Sequence, residues 1–166
     1  MMRNYDLPPS IVLNTDKPHR GAGSHYGWGY AGELSPVETW RPIRIYRALD
    51  TVKEIEEGYY VSDRGNILST RYSEKGYILK PDTSTDYARV KLLCRDGKRR
   101  WCQVHRLVLD NWLDCPELIY KLLKSVNHRD GKKLNNTLTN LEYISNSENI
   151  KHYWTEIKPL LEHKSA

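Results

Sequence analysis

The chain has 166 residues, with 26 Lys and Arg against 21 Asp and Glu and a formal net charge of +5. From this length we expect one domain or two small ones around a modest core, and not a large enzyme. A basic balance favours a polyanionic partner, although charge alone does not establish one.

Two features bear on cellular location: the membrane-spanning and signal segments that the sequence lacks, and its use of cysteine. The sequence has no apolar run long enough to cross a bilayer and no apolar signal segment in residues 1–10, so we expect no membrane partner. The three Cys are odd in number and form no C-x-x-C pair. This pattern favours reduced thiols in the cytoplasm over a disulfide framework.

Residues 1–38 are predicted to form an N-terminal extension. Five of the ten Gly lie between Gly21 and Gly32, and such a run does not hold regular structure at low cost. A tail without a partner is one interpretation. The other is an arm that lies along DNA through its basic and aromatic side chains, which are His19, Arg20, His25, Tyr26, Trp28 and Tyr30.

Residues 40–43 have the pattern W-x-x-I, and residues 58–69 have the pattern G-Y-Y-V-S-x-x-G-x-I-x-S. Together they resemble the nuclease-associated modular domain that precedes the nuclease domain of HNH homing endonucleases. The resemblance implies two short strands around the turn at residues 62–65, and a role in DNA binding. This chain departs from the pattern by an insertion at residues 44–57, where residues 48–55 predict one or two helical turns.

Residues 86–104 predict a β-hairpin, because an Asp-Gly pair at residues 96–97 lies between two alternating segments. The alternation places Ala88, Val90 and Leu92 on the face towards the core.

The opposite face of this hairpin is basic. Between Asp86 and Arg106, seven Arg and Lys accompany two Asp, and a basic ribbon can follow phosphates or enter a groove. A solvated face without a ligand is the alternative. The DNA contacts predicted for the whole chain are Arg64, Arg71, Arg89, Lys91, Lys98, Arg99, Arg100, Lys132 and Lys133.

Residues 104–112 have the apolar spacing of an amphipathic helix, and residues 118–123 predict a short helix or turn. Cys94, Cys102 and His105 suggest a zinc site, but no fourth ligand follows at a suitable spacing. We therefore expect His105 to be a packed, hydrogen-bonded residue.

Residues 126–154 carry the most specific pattern of the chain. A short strand ends at His128, an Asp-Gly turn and a polar loop follow, and residues 140–144 alternate as a second strand. Ser145 and Glu148 have the spacing of a capping box, which predicts a helix from Asn146 to about Ile157. Pro159 is expected to kink or stop that helix.

This order of strand, loop, strand and helix resembles the ββα-metal motif of HNH nucleases, in the subgroup of phage and intron-encoded homing endonucleases. The shared pattern is N-H-x-D-G at residues 127–131, N-N at 135–136, N-L-x-Y-x-S at 140–145, and Asn149. The resemblance implies metal-dependent hydrolysis of a DNA phosphodiester.

The resemblance also implies roles for individual residues. His128 is the candidate general base, since a neutral imidazole can take a proton from water near pH 7. Asn127 and Asn149 are the candidate metal ligands, most plausibly for Mg²⁺, with Mn²⁺ as the alternative. Asn140 matches the family residue that hydrogen-bonds backbone across the loop.

Two departures bear on the metal. Many relatives have Asp where this chain has Asn127, and an amide oxygen brings no negative charge, so weaker metal affinity is expected. The last ligand is Asn149, where other subgroups have His. His152 lies one turn further on and is a third candidate, able to accept a softer metal.

The sequence therefore predicts an α+β fold with an extension at 1–38, a β-rich DNA-binding module at 39–103, and a ββα-metal nuclease core at 104–163. We expect an endonuclease that acts on double-stranded DNA as a monomer or homodimer, in the host cytoplasm if a phage encodes it. Three alternatives stay open: a DNA-binding protein with an inactive nuclease centre, a ribonuclease, and a structural or regulatory protein that uses the fold as a scaffold.

Overall fold

The computed structural model describes residues 38–48, 51–73 and 75–159. Apart from Glu38, the predicted extension lies outside these residues, as does the end of the predicted nuclease core. The described part is an α+β fold with ten strands and three α-helices, so the predicted fold class is confirmed. Within it, no helix is both long and apolar enough to cross a membrane.

The first sheet is antiparallel and consists of β1 Trp40–Pro42, β4 Tyr59–Ser62, β5 Ile67–Ser69 and β6 Tyr77–Ile78, in the strand order β1-β4-β5-β6. Gly65 lies in the turn between β4 and β5 with φ +84°, a conformation that favours glycine. The Ser62 hydroxyl closes this turn by accepting hydrogen bonds from the backbone nitrogens of Arg64 at 3.2 Å and Asn66 at 2.9 Å.

The insertion at residues 44–57 is a β-hairpin, so the predicted helical turns are wrong. Strand β2 covers Ile45–Ala48 and pairs with β3, Thr51–Glu54. Tertiary contacts decide this conformation. The Asn111 side chain accepts a hydrogen bond from Arg44 N at 2.9 Å and donates one to the Ile45 carbonyl at 3.0 Å.

The predicted hairpin of residues 86–104 is present, with β7 at Arg89–Leu93 and β8 at Arg99–Gln103. Ala88, Val90 and Leu92 are buried, as the alternation predicts.

Helix α1, Val104–Trp112, follows β8 directly, and α2 covers Glu117–Leu122. The seven residues of α1 before Asn111 are all buried, because sheets from both parts of the chain pack around this helix. One hydrophobic core results, with members on each side of residue 104: Ile43, Tyr46, Ile55, Tyr59, Val61, Ile67, Ala88, Val90, Leu92, Cys94, Cys102, Val104, Leu107, Val108, Leu109 and Leu141.

The C-terminal ββα unit consists of β9 at Ser125–His128, β10 at Leu141–Ile144 and α3 at Asn146–His152. A 3₁₀ turn at Leu138–Asn140 leads into β10. The capping box at the start of α3 is present in full. A π-helical turn at Tyr153–Ile157 follows α3, and Lys158 and Pro159 are helical; the described residues end at Pro159, so its predicted effect on the helix stays a prediction.

Candidate active site

The antiparallel pair β9–β10 sets the geometry of the candidate site. Asn127 lies directly opposite Glu142, and His128 lies opposite Leu141. Because side chains alternate along a strand, Asn127 and His128 project to opposite faces of this ribbon. Leu141 belongs to the core, so His128 is on the core side, towards α1.

His128 is enclosed by three side chains. It is 6% exposed, and its ring stacks on Tyr87 with a centroid distance of 6.0 Å. The ring of His105 meets it edge-on at 5.3 Å. The third side chain is Asn136, whose Oδ1 lies 3.3 Å from Nε2 of His128.

Burial lowers the pKa of His128 below its ordinary value. The hydrogen bond with Asn136 and the charge of Asp130 oppose this shift in part, while Lys133 adds to it. The ring is therefore neutral near pH 7, the state in which an imidazole can accept a proton.

Asn140 holds the loop that follows His128. Its Oδ1 accepts a hydrogen bond from Asp130 N at 3.1 Å, and its Nδ2 donates to Asp130 Oδ1 and to the Asn135 carbonyl, both at 2.9 Å. Its own carbonyl accepts a bond from Arg129 N at 2.9 Å. These bonds join both ends of the loop at one buried amide.

The candidate metal ligands lie on two elements in contact. Asn127 is 5% exposed on β9, and α3, which carries the half-buried Asn149 and His152, lies against this strand. Among the described residues no cluster of three or more His, Cys, Asp or Glu could hold a metal ion. The candidate set consists mainly of amide oxygens.

The donor chemistry of this site fits a hard cation. Asn127 Nδ2 donates to Glu142 Oε1 at 2.8 Å, which brings a carboxylate next to the amide. Glu142 also forms a 3.0 Å ion pair with Arg129. Oxygen donors of these two kinds are the ones that Mg²⁺ and Mn²⁺ prefer.

The basic hairpin has one outward face on which charge and aromatic rings alternate. Arg89 and Lys91 lie over the Trp101 ring, at 4.6 and 5.7 Å from its centroid. Trp101 is 46% exposed, and Arg99 on the same face donates to the Tyr72 hydroxyl at 2.8 Å.

Several of the predicted DNA contacts are already bound within the protein. Arg71 donates to the Glu57 carbonyl at 2.7 Å. Arg100 lies opposite Leu92 in the β7–β8 pair, on the core-facing side of the hairpin, and it forms a 2.6 Å ion pair with Asp96. Arg89 pairs with Asp82 at 2.8 Å and Lys133 with Asp86 at 2.7 Å. Arg64, Lys98 and Lys132 are exposed.

His105 is packed as expected, but its Nδ1 is buried without a hydrogen-bond partner, so the expected hydrogen bonding is wrong for this atom. Burial lowers the pKa of His105 to about 3, with smaller contributions from His128 and Arg106. Two rings meet His105 edge-on, Tyr87 with a centroid distance of 4.9 Å and His128 at 5.3 Å.

Sequence reasoning missed three residues of the site: Tyr87, Asn136 and Glu142. Asn136 was visible as part of the N-N pair in the motif, without an assigned partner. Glu142 follows from the register of β9 and β10, which a sequence pattern does not specify. Tyr87 precedes β7, and only the tertiary fold brings it to His128.

The chain is similar to known proteins. Residues 38–92 match the NUMOD4 motif. An HNH endonuclease of Acanthamoeba polyphaga mimivirus is 33% identical over 116 residues, which is 70% of this chain and 30% of the relative. The DNA endonuclease I-HmuI of Bacillus phage SP01 is 33% identical over 102 residues, 61% of this chain and 54% of the relative.

A solved structure, described as DNA binding and cleavage by the HNH homing endonuclease I-HmuI, matches with a TM-score of 0.51 and 30% identity. The match covers 70% of this chain and 58% of that one. The chain thus spans about half, or less, of the length of these relatives. Motif, relatives and fold agree, and the chain is a relative of the HNH homing endonucleases that carries a NUMOD4 motif upstream of its ββα unit.

Proposed function

We propose that the chain is a DNA endonuclease of HNH type that hydrolyses a phosphodiester with the help of a divalent cation. The observation that carries the proposal is the position of His128 at the end of β9, directly after Asn127 in the sequence and with α3 packed against this strand. The similarity to I-HmuI, which is named as a DNA endonuclease, supports the same substrate.

His128 is the proposed general base. It accepts the proton of the attacking water, for which a neutral imidazole is suited near pH 7. Asn140 is a positioning residue in this scheme, because it closes the loop behind His128 without reaching the reacting atoms.

Asn127 and Asn149 are the proposed metal ligands, and His152 is a further candidate on α3. When bound, a hard cation such as Mg²⁺ or Mn²⁺ supplies positive charge to the phosphate and the departing oxygen. The charge that Asn127 lacks is provided nearby by Glu142, whose carboxylate lies 2.8 Å from the Asn127 amide nitrogen.

Double-stranded DNA is the proposed partner, and the outward face of the β7–β8 hairpin is the proposed contact. Phosphate contacts of this kind determine affinity and register more than sequence choice. Each chain provides one His128, so a monomer would nick one strand and a homodimer would be needed to cut both. A cytoplasmic location, in the host cell if a phage encodes the protein, is proposed because Cys94, Cys102 and Cys115 are free thiols.

Cleavage of supercoiled plasmid tests the proposal. We expect conversion to the nicked form with Mg²⁺ or Mn²⁺, no conversion with EDTA, and loss of activity in His128→Ala. Activity that persists in His128→Ala would refute the assigned base. Light scattering on the same samples gives the oligomeric state.

A second candidate is a DNA-binding protein with an inactive nuclease centre. Two observations favour it: His128 is only 6% exposed, which restricts access by water, and Asn127 stands where many relatives have a carboxylate. This candidate predicts salt-sensitive DNA binding without cleavage under any metal. Cleavage of RNA in place of DNA would indicate a ribonuclease.

A further inference from the structure

We propose that Asn136 is a positioning residue that holds His128 in the tautomer with its proton on Nε2, and that the turn at residues 62–65 of the upstream module keeps Asn136 in place. The inference deepens the proposed function, on which it depends for the role of His128 as the base. It concerns a contact between the two parts of the chain.

The orientation of the Asn136 amide follows from its two neighbours. Nδ2 donates to the Leu134 carbonyl at 3.2 Å, and Oδ1 faces Nε2 of His128 at 3.3 Å. The reverse orientation would place the amide oxygen against the Leu134 carbonyl, and two acceptors do not bond.

This orientation selects a tautomer. A carbonyl oxygen only accepts hydrogen bonds, so Nε2 of His128 must carry the proton that lies between the two atoms. In a neutral ring the lone pair is then on Nδ1, which becomes the atom that takes the proton from water.

The other neighbours of His128 do not select a tautomer. Tyr87 stacks on the ring and His105 meets it edge-on. Ring contacts of this kind restrict the plane of the imidazole, but they do not distinguish one ring nitrogen from the other. Among the side-chain contacts of His128 with the described residues, the bond to Asn136 makes that distinction.

The turn of the module contacts Asn136 directly. A Cβ built on Gly65 would lie 2.7 Å from the Cβ of Asn136 and 2.8 Å from its carbonyl oxygen. Both distances are shorter than a Cβ normally keeps from any atom to which it is not bonded. In addition, Leu138 N donates to the Asp63 carbonyl at 2.8 Å. The loop therefore packs on the backbone of the turn at the 7%-exposed Asn136 and at Leu138, two residues further on.

The turn is itself well held. Asp63 N donates to the Thr39 carbonyl at 3.0 Å, and the Thr39 hydroxyl donates to Asp63 Oδ2 at 3.0 Å. The turn at residues 62–65 thus supports Asn136, and the side chain of Asn136 orients His128. The module completes the active site as well as extending the DNA contact.

Two pairs of variants test this chain of contacts in the full-length protein. Asn136→Ala removes the acceptor, whereas Asn136→Asp keeps an oxygen in the same position. Gly65→Ala introduces the steric conflict with Asn136. Gly97→Ala is its matched control, because Gly97 also has a positive φ of 75° but a Cβ there would meet nothing within 4 Å.

The first readout is the Nε2–H signal of His128 in ¹⁵N-resolved NMR, assigned by its absence in His128→Gln. It is recorded without DNA or metal, so it does not depend on nuclease activity. We expect a slowly exchanging signal in the wild type, Asn136→Asp and Gly97→Ala, and its loss in Asn136→Ala and Gly65→Ala.

The second readout is plasmid nicking, with kcat and KM measured separately. Asn136→Ala and Gly65→Ala should lower kcat about tenfold, as expected when one hydrogen bond that orients the base is lost, with KM unchanged. Asn136→Asp should restore most of kcat.

Each result decides a different point. An Nε2–H signal that persists in Asn136→Ala overturns the inference even if the protein is an active nuclease. Equal behaviour of Gly65→Ala and Gly97→Ala overturns the role of the module turn. A protein that cleaves nothing but shows the expected signals contradicts the proposed function and leaves the Asn136 contact established.

Discussion

Replacing Asn127 by Asp tests why this chain lacks the carboxylate that many relatives have before the catalytic histidine. In the structure the Asn127 amide donates to Glu142 Oε1 at 2.8 Å, across a directly opposed strand pair. An Asp in this position would lose the donor and bring two carboxylates together. We therefore expect Asn127→Asp to destabilise the metal-free protein.

The size of the effect follows from this contact. A hydrogen bond to a charged acceptor contributes about 1.5–3 kcal/mol to stability. The repulsion between the two carboxylates adds about 1 kcal/mol, a value kept low because one third of the Glu142 side chain is exposed and Arg129 lies 3.0 Å away. The free energy of unfolding should fall by about 2.5–4 kcal/mol at pH 7.

Urea unfolding in EDTA measures this loss, in a cycle of wild type, Asn127→Asp, Glu142→Gln and the double variant. The double variant should regain at least half of the loss, since an Asp–Gln pair restores a donor. Added Mg²⁺ should stabilise Asn127→Asp more than the wild type, because the cation offsets the two negative charges.

The reasoning fails if Asn127→Asp is as stable as the wild type in EDTA while Glu142 is present. It also fails if the cycle gives a coupling below about 0.5 kcal/mol, the level at which independent sites add. In either case the Asn127–Glu142 contact would not explain the amide at this position.

Three further predictions concern other parts of the molecule. Burial lowers the pKa of His105 to about 3, so below the ordinary pKa of ~6.5 the unfolded chain binds a proton that the folded protein does not. Between pH 7 and 5 the free energy of unfolding of the wild type should therefore fall by ~2 kcal/mol more than that of His105→Leu, measured by urea unfolding. Equal pH dependence of the two proteins would contradict this prediction. Lys91→Gln should reduce the slope of log affinity for DNA against log salt by about one, whereas the Asp96-paired Arg100→Gln should leave it nearly unchanged; equal slopes would exclude the outward face of the hairpin as the contact. Asn111→Ala removes the side-chain bonds between α1 and the inserted hairpin and should lower the free energy of unfolding by ~2–3 kcal/mol in thermal melts, so a loss below ~0.5 kcal/mol would show that the hairpin does not depend on α1.

Local signals predicted the elements that depend on neighbours in sequence. The Asp-Gly turn at residues 96–97 and the Ser145–Glu148 capping box act over four residues or fewer, and both are present in the structure. The burial of Val90 and Leu92 follows from alternation against a single core.

The insertion at residues 44–57 was mispredicted because its conformation depends on contacts with Gln103 and with Asn111 of α1, which lie 57 and 67 residues beyond their partners in the insertion. Tyr46 is 7% exposed, and its hydroxyl accepts a hydrogen bond from Gln103 N at 3.4 Å. Val52 and Thr51 in β3 are β-branched and suit a strand. Local propensity was ambiguous here, and the contacts that decide it are not visible in the insertion itself.

The residues of the candidate site also fall into two groups, those that the sequence motif predicts and those that only tertiary contacts bring to the site. The motif identified His128, Asn127 and Asn140, because their spacing along the chain is part of the pattern. Tyr87 and Glu142 reach the site only through tertiary packing and strand register, for which the motif carries no information.

The single hydrophobic core has a consequence for changing the target of the proposed nuclease. Ile43 and Val61 of the module share that core with Leu107 of α1 and Leu141 of the nuclease hairpin. A graft that exchanges the upstream module at residue 104 would cut through this core and leave apolar surface on both fragments. Retargeting by recombination would therefore succeed only where donor and acceptor have complementary core residues, and we expect natural recombinants of this architecture to exchange surface loops and strand faces in preference to whole modules.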